Sequence, residues 1–167
     1  MGKEPPVSER ISGELKLIRQ NVPGVRGSIT ASSDGLLLAE DVNDLEATQI
    51  AALVAAMHAV AVRAAGNTQC GQLKEVITRG SDGYLAVYAA GSAAIVAVLG
   101  TSELNVGMLN LQARGAIERI AAHSAGSAKR RPTGPAPVPA TPGQAAQNGM
   151  GPLPSRRPRG SQQARAN

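Results

Sequence analysis

Apolar residues recur at helical spacing in three segments of the chain. In residues 8–20 the apolar stripe contains Ile11, Leu15 and Ile18, and charged residues lie on the other side. Residues 105–123 show the same division, with an apolar stripe about 100° wide and charged residues outside it. Because a helix with one apolar stripe buries that stripe against a core, both segments predict amphipathic helices.

The middle helical segment, which begins at Asn43 or Asp44, is apolar on nearly every side. From Gln49 to residue 65 its only polar side chains are those of Gln49, His58 and Arg63. The stripe expected to pack on a sheet contains Ile50, Leu53, Val54, Met57, Val60 and Ala61. The opposite side contains Ala51, Ala52, Ala55, Ala59 and Val62. Since a helix that is apolar all round is buried on more than one side, we expect a second protein surface to cover this side.

Five short segments between the helices predict strands, at residues 25–32, 36–40, 71–79, 83–91 and 93–100. The pair Asp34-Gly35 separates the first two strands and predicts a hairpin, because both residues tolerate the positive φ angles of tight turns. The last two strands are apolar at nearly every position, which is typical of central strands covered on both faces. The order helix, two strands, helix, three strands, helix indicates an α+β domain.

The third predicted strand is more polar than the two that follow it, so we expect it at an edge of the sheet. An edge strand has unpaired N–H and C=O groups that pair with another chain unless they are blocked. The residues of this strand that we expect at a contact between two chains are Leu73, Lys74, Glu75, Val76 and Ile77.

Charge divides the chain into a domain and a tail. The sequence has a formal net charge of +5, but all of its Asp and Glu residues lie before Ser124. The stretch from Gly126 to the end contains seven Lys or Arg residues and most of the prolines. It has few large apolar residues to offset its chain entropy. We therefore predict a loose arm at residues 1–7, a domain at residues 8–124 and a disordered basic tail at residues 125–167.

The sequence argues against several kinds of chemistry. A single cysteine, Cys70, and two histidines cannot supply the usual four ligands of a structural zinc site. The glycine-rich stretch 80–83 is not followed by the Lys-Ser/Thr pair and the helix of a phosphate-binding loop, so we interpret it as a hairpin turn. We expect no catalytic set, no cofactor and no metal. We also find no run of about 18 apolar residues and no secretory signal, which predicts a cytoplasmic protein.

Across residues 8–124 the sequence resembles the Roadblock (dynein light chain) family, in its bacterial MglB-like branch. The matching segments are PGVRGSITASSDGLLLAED, the long helix IAALVAAMHAVAVRAA, and the stretches GYLAVYAAGSAAIVAVLG and LNVGMLNLQARGAIERI. The resemblance implies a five-stranded antiparallel sheet. It places the first and last helices on one face of that sheet and the long middle helix on the other.

The resemblance also implies a homodimer, in which the third strands pair edge to edge and the middle helices lie side by side. Members of this family act as regulators or scaffolds for small Ras-like GTPases, which dock on the paired middle helices. The residues that we expect at this dimer and partner interface are Ala51, Ala52, Ala55, His58, Ala59, Val62 and Arg63. By this interpretation the chain is a non-enzymatic regulator or adaptor of a GTPase.

Other functions stay open at this point. The protein is alternatively a signalling scaffold that leaves GTP turnover unchanged, or a binder of membrane or nucleic acid that works through its basic tail. Nucleic acid is disfavoured because two tyrosines are the only aromatic residues available for stacking on bases. An arginine supplied to the GTPase is a further hypothesis, for which the candidates are Arg63 and, less well placed, Arg79 and Arg114.

Overall fold

A five-stranded antiparallel sheet lies between two helical layers in the computed structural model, which describes residues 5–43 and 45–128. The elements are α1 (Val7–Asn21), β1 (Val25–Ser32), β2 (Leu37–Asp41), α2 (Ala47–Asn67), β3 (Glu75–Arg79), β4 (Gly83–Ala90), β5 (Ala94–Thr101) and α3 (Val106–Ala128). This order confirms the α+β class and the succession of helices and strands that the sequence predicts.

The strands follow one another across the sheet in the order β2-β1-β5-β4-β3. The central strands β4 and β5 pair along their whole lengths, and β5 also pairs with β1. Strand β3 pairs with β4 alone, so it is an edge strand, as its polar sequence predicts. It begins at Glu75, however, and the expected strand residues Leu73 and Lys74 precede it. Gln69 and Gly71 have positive φ angles and belong to a loop, and the strand begins only after this loop.

Two separate apolar cores cover the two faces of the sheet. Helices α1 and α3 pack together on one face, where Leu15, Leu109 and Val96 are among the fully buried residues. Helix α2 packs on the other face over Ile29 and Val87. This distribution of the helices confirms the one that the family resemblance implies.

The ends of the domain differ from the predicted boundaries. Helix α1 begins at Val7, within the predicted arm, and α3 extends beyond the expected end at residue 124 to Ala128. Ser124 is buried, and its Oγ donates a hydrogen bond to the Ile120 carbonyl oxygen at 2.9 Å, as a helical residue can. Residues 1–4 and 129–167, which include nearly all of the predicted tail, lie outside the described residues.

Helix α2 is turned about its axis relative to the sequence prediction. We expected Leu53 and Val60 to pack on the sheet, but the residues of this helix that are buried there are Ala47, Ala51, Val54 and Ala55. The sheet beneath already supplies large side chains, among them Ile29 and Ile95, so small residues on the helix allow the two backbones to approach closely.

By length and mean hydropathy alone, α2 would be long and apolar enough to cross a membrane, contrary to our expectation that no segment would be. Most of that window is not buried within the protein. The buried residues Ala51 and Val54 nevertheless hold one side of the helix on the sheet. We therefore interpret α2 as a helix of the folded domain whose outer side is left open.

Two leucines of α3 provide a matched test of the core. Leu109 is 0% exposed and Leu111 is 76% exposed. We expect Leu109→Ala to lower the free energy of unfolding by about 2–5 kcal/mol, because it leaves a cavity between α3 and the sheet. The Leu111→Ala control should change it by less than about 0.5 kcal/mol. Urea denaturation measures both values, and equal effects of the two substitutions would contradict this packing.

Candidate partner interface

The side of α2 that points away from the sheet is apolar and exposed. Leu53 and Val60 are 69% and 67% exposed, although they are among the largest side chains of the helix. We call this side the open α2 face, and it consists of Ala52, Leu53, Ala56, Ala59 and Val60. Large contiguous apolar patches of this kind mark interaction sites, whereas single exposed apolar residues do not.

The open α2 face is tilted toward the edge strand β3. On that side of the helix, Met57 Sδ accepts a hydrogen bond from Thr78 Oγ1 of β3 at 3.7 Å. Leu53 and Val60 are four and three residues from Met57, so they lie on the same side of the helix. The other flank of this face, at Ala52, lies beside the β1–β2 turn, where a Cβ added to Gly35 would lie 3.2 Å from the Ala52 Cα. The large exposed residues of α2 and the open edge of the sheet therefore share one flank of the domain.

The residues predicted at the interface from the sequence divide into two groups. Ala52, Ala59, Val62 and Arg63 are exposed. Ala51 and Ala55 are instead buried against the sheet, which corrects their expected position on the outer side. They are four residues apart and flank Val54, so they belong to the side of α2 that the domain covers by itself.

Leu53 and Val60 are the interface candidates that the sequence interpretation missed. They are seven residues apart, which places them on one side of a helix. We assigned them to the sheet because large apolar residues usually face a core. The signal that could have corrected this was the stripe of alanines opposite them, which suits close contact with a sheet already rich in Ile and Val.

His58 lies on the half of α2 that faces the sheet and is partly buried. Its Nε2 atom is buried and has no hydrogen-bond partner among the described residues. Burial lowers the pKa of His58 below its ordinary value, because the charged imidazolium would lose solvation. The structure therefore favours a neutral imidazole at this position.

The edge strand carries a polar network on the face covered by α1 and α3. Asn110 of α3 donates to Glu75 Oε1 at 3.0 Å, and the Tyr88 hydroxyl donates to Asn110 Oδ1. Burial and the nearby Glu75 carboxylate raise the pKa of Tyr88. The predicted interface residues Leu73 and Lys74 line a cavity of about 630 Å³ beside this network.

The structure also shows the surroundings of the glycine-rich stretch and of the single cysteine. Gly80 N donates to the Gly83 carbonyl oxygen at 2.8 Å, which closes the β3–β4 hairpin and confirms that this glycine-rich stretch is a turn. Cys70 is exposed, with its Sγ 3.1 Å from Thr68 Oγ1. Among residues 5–43 and 45–128, no three His, Cys, Asp or Glu side chains are grouped closely enough to hold a metal ion.

Comparison with known proteins agrees with this architecture. The family model of the Roadblock/LC7 domain matches residues 12–100, which is more than half of the chain. No curated protein matches the sequence.

Similar solved structures include a Roadblock/LC7 domain from Streptomyces avermitilis, with a TM-score of 0.62 and 22% identity over 65% of this chain and 92% of that one. The gliding protein MglB from Thermus thermophilus gives a TM-score of 0.66 and 19% identity over 74% and 95% of the two chains. An MglB with a tetrameric arrangement gives 0.68 and 19% over 75% and 95%. At these identities the likeness shows a common fold.

The buried position of His58 predicts a pH dependence of stability. Because its pKa is lower in the folded chain, the unfolded chain binds more protons at mildly acidic pH. The free energy of unfolding should therefore fall as the pH drops below about 6.5, the ordinary pKa of histidine. His58→Gln should lose this part of the dependence, whereas His123→Gln should keep it. Urea denaturation between about pH 5.5 and pH 8 measures the difference, and identical profiles for wild type and His58→Gln would contradict the prediction.

Proposed function

This chain belongs to the Roadblock/LC7 domain family, and we propose on that basis that it is a homodimeric regulator or adaptor that binds a small Ras-like GTPase. Roadblock domains are in general non-catalytic regulatory domains. The observation that carries the proposal is the open α2 face, because the family resemblance implies partner contacts through the middle helices.

Covering the exposed apolar residues of α2 is energetically favourable. Burying a Leu or Val side chain contributes about 1.5–3 kcal/mol relative to leaving it in water. Leu53 and Val60 are mostly exposed in the single chain, so covering them stabilises any complex that forms there. The neighbouring Ala52, Ala56 and Ala59 have small side chains, which allow another backbone to approach the helix closely.

The open α2 face divides between two kinds of contact. Its flank with Leu53 and Val60 points toward β3, and we assign this flank to a second copy of the chain. Its outer side, with Ala56 and Ala59, remains available on each helix next to Arg63, and we assign it to the GTPase. The tetrameric arrangement of one MglB of similar fold supports self-association of this domain type.

Regulation of a GTPase does not require catalytic groups on this chain. A protein that binds one conformation of the GTPase switch loops more tightly than another shifts the population toward that conformation. Arg63 is exposed at the border of the open α2 face, so an arginine that enters the GTPase site is the more demanding form of the same proposal. Either form places the protein in the cytoplasm with its GTPase.

A signalling scaffold of the same fold is the second candidate. It would use the same face to bind a GTPase and would leave nucleotide turnover unchanged. The rates of GTP hydrolysis and nucleotide exchange, measured on the GTPase with and without this chain, distinguish the two. A change in either rate supports a regulator, and binding with both rates unchanged supports the scaffold.

Substitutions on the exposed side of α2 test where the partner binds. The double variant Leu53→Asp/Val60→Asp should bind the small Ras-like GTPase at least about tenfold more weakly, because the contact between the two copies, which forms the paired-helix platform for the GTPase, would have to bury unpaired carboxylates. Isothermal titration calorimetry with the GTP-analogue complex gives the dissociation constant. Both positions are exposed, so the domain should remain folded by circular dichroism.

The matched control is Leu111→Asp, which places a carboxylate at a similarly exposed leucine of α3 on the other face of the sheet. It should bind the GTPase with wild-type affinity. Wild-type affinity of the α2 double variant would remove the open α2 face from the proposal.

A further inference from the structure

The edge strand β3 is self-complementary in charge and shape. Its sequence is Glu-Val-Ile-Thr-Arg, with an acidic residue at the start, a basic residue at the end and Ile77 at the centre. If two copies pair antiparallel around a two-fold axis at Ile77, then Glu75 of one copy lies directly opposite Arg79 of the other. Val76 lies opposite Thr78 in the same arrangement, and the two Ile77 side chains meet on the axis.

The backbone of β3 is oriented for this pairing. Gly80 N donates to the Gly83 carbonyl oxygen, so Gly80 directs its backbone polar groups toward β4. In an antiparallel pair the backbone groups of successive residues point alternately to the two sides of the strand. The N–H and C=O groups of Glu75, Ile77 and Arg79 therefore point away from β4, toward the open edge. These are the residues that exchange paired hydrogen bonds across a two-fold axis at Ile77.

Other registers fit this strand less well. If both α2 helices lie on the same face of a joined sheet, residues directly opposite each other must have their side chains on the same face. Because side chains alternate between the two faces along a strand, the two-fold axis must then pass through a residue and not between two residues. An axis at Val76 places Glu75 opposite Ile77, and an axis at Thr78 places Arg79 opposite Ile77. Only the axis at Ile77 pairs all five residues of β3 and brings opposite charges together.

In the single chain, the Glu75 and Arg79 side chains each contact a neighbouring residue, and neither is in an ion pair with another described residue. Asn110 holds Oε1 of Glu75 at 3.0 Å and leaves the other carboxylate oxygen available. The Arg79 guanidinium lies over the Tyr84 ring, 5.6 Å from its centroid. Both side chains lie on the face of the sheet covered by α1 and α3, and neither forms a salt bridge within the described residues.

The other edge strand lacks this pattern. In β2 the register against β1 shifts between Thr30 and Ala31, and irregularities of this kind discourage pairing at an edge. Of its two charged residues, Glu40 and Asp41, the second already pairs with Arg19 at 2.8 Å. An axis at the centre of β2 would place Leu37 opposite Asp41, so this strand has no complementary match with itself.

We propose that β3 is a self-recognition element, in which two symmetric ion pairs between Glu75 and Arg79 of the partner subunit fix the register of the homodimer and select a second copy of this chain. This inference rests on the homodimer of the proposed function and adds to it the register and the residues that give specificity. Opposite charges placed directly across an antiparallel pair are favourable, whereas like charges there are unfavourable.

Charge reversal tests the pairing. In an Arg79→Glu homodimer two carboxylates face each other at both symmetric positions, and in a Glu75→Arg homodimer two guanidinium groups do so. We expect each single variant to dimerise about tenfold more weakly than wild type. An equimolar mixture of the two should form a heterodimer of near wild-type affinity, and the Glu75→Arg/Arg79→Glu double variant should restore the homodimer. Sedimentation equilibrium and fluorescence transfer between labelled copies measure these affinities.

Arg26→Glu is the matched control, because Arg26 is an exposed arginine on β1, which is not an edge strand. It should dimerise like wild type. Rescue in the mixture cannot come from refolding of one variant, so it reports the pairing itself. Unchanged dimerisation of Arg79→Glu, or no rescue in the mixture, would overturn this register while leaving the homodimer in place. A monomeric wild type would overturn the homodimer as well.

Discussion

The structure depends on an imbalance in α2, a helix that is apolar nearly all round but is covered by its own domain on one side. The sheet accepts the side with Ala51, Val54 and Ala55, because close contact between helix and sheet requires small residues where the sheet supplies large ones. This packing turns Leu53 and Val60 outward. The same contact that stabilises the domain therefore creates the apolar surface that needs a partner.

That apolar surface lies next to β3, so an exposed helix face and an unpaired strand edge are adjacent in the domain. An edge strand has backbone groups without partners, and an exposed apolar helix has side chains without neighbours. The contact between Met57 and Thr78 places the two side by side. A second copy that pairs with β3 would bring its own α2 next to the first. A single contact between copies would then pair the backbone groups of the strands and cover the apolar side chains of the helices. The outer side of the paired helices then forms a platform for a third protein, which is the role proposed for the GTPase.

Much of the fold was predictable because its signals are local. The bounds of β1 were predicted correctly from its flanking glycine and turn residues, and the run of apolar residues in β4 and β5 indicated central strands. The edge position of β3 followed from its polar residues. The orientation of α2 was harder to predict, because a helix without a polar side lacks the usual periodic signal and leaves only its stripe of alanines to show which side meets the sheet. That stripe becomes decisive once the sheet beneath is known to supply large side chains, which bury Ala51 and leave Leu53 exposed.

The central claim is that the exposed flank formed by α2 and β3 is covered by a second copy of the chain. Sedimentation equilibrium of the wild-type protein over a range of low micromolar concentrations tests it most directly. The account predicts a particle of twice the 17.0 kDa chain mass, with a monomer–dimer equilibrium that shifts toward the dimer as the concentration rises. A single species of 17.0 kDa at every concentration would contradict it.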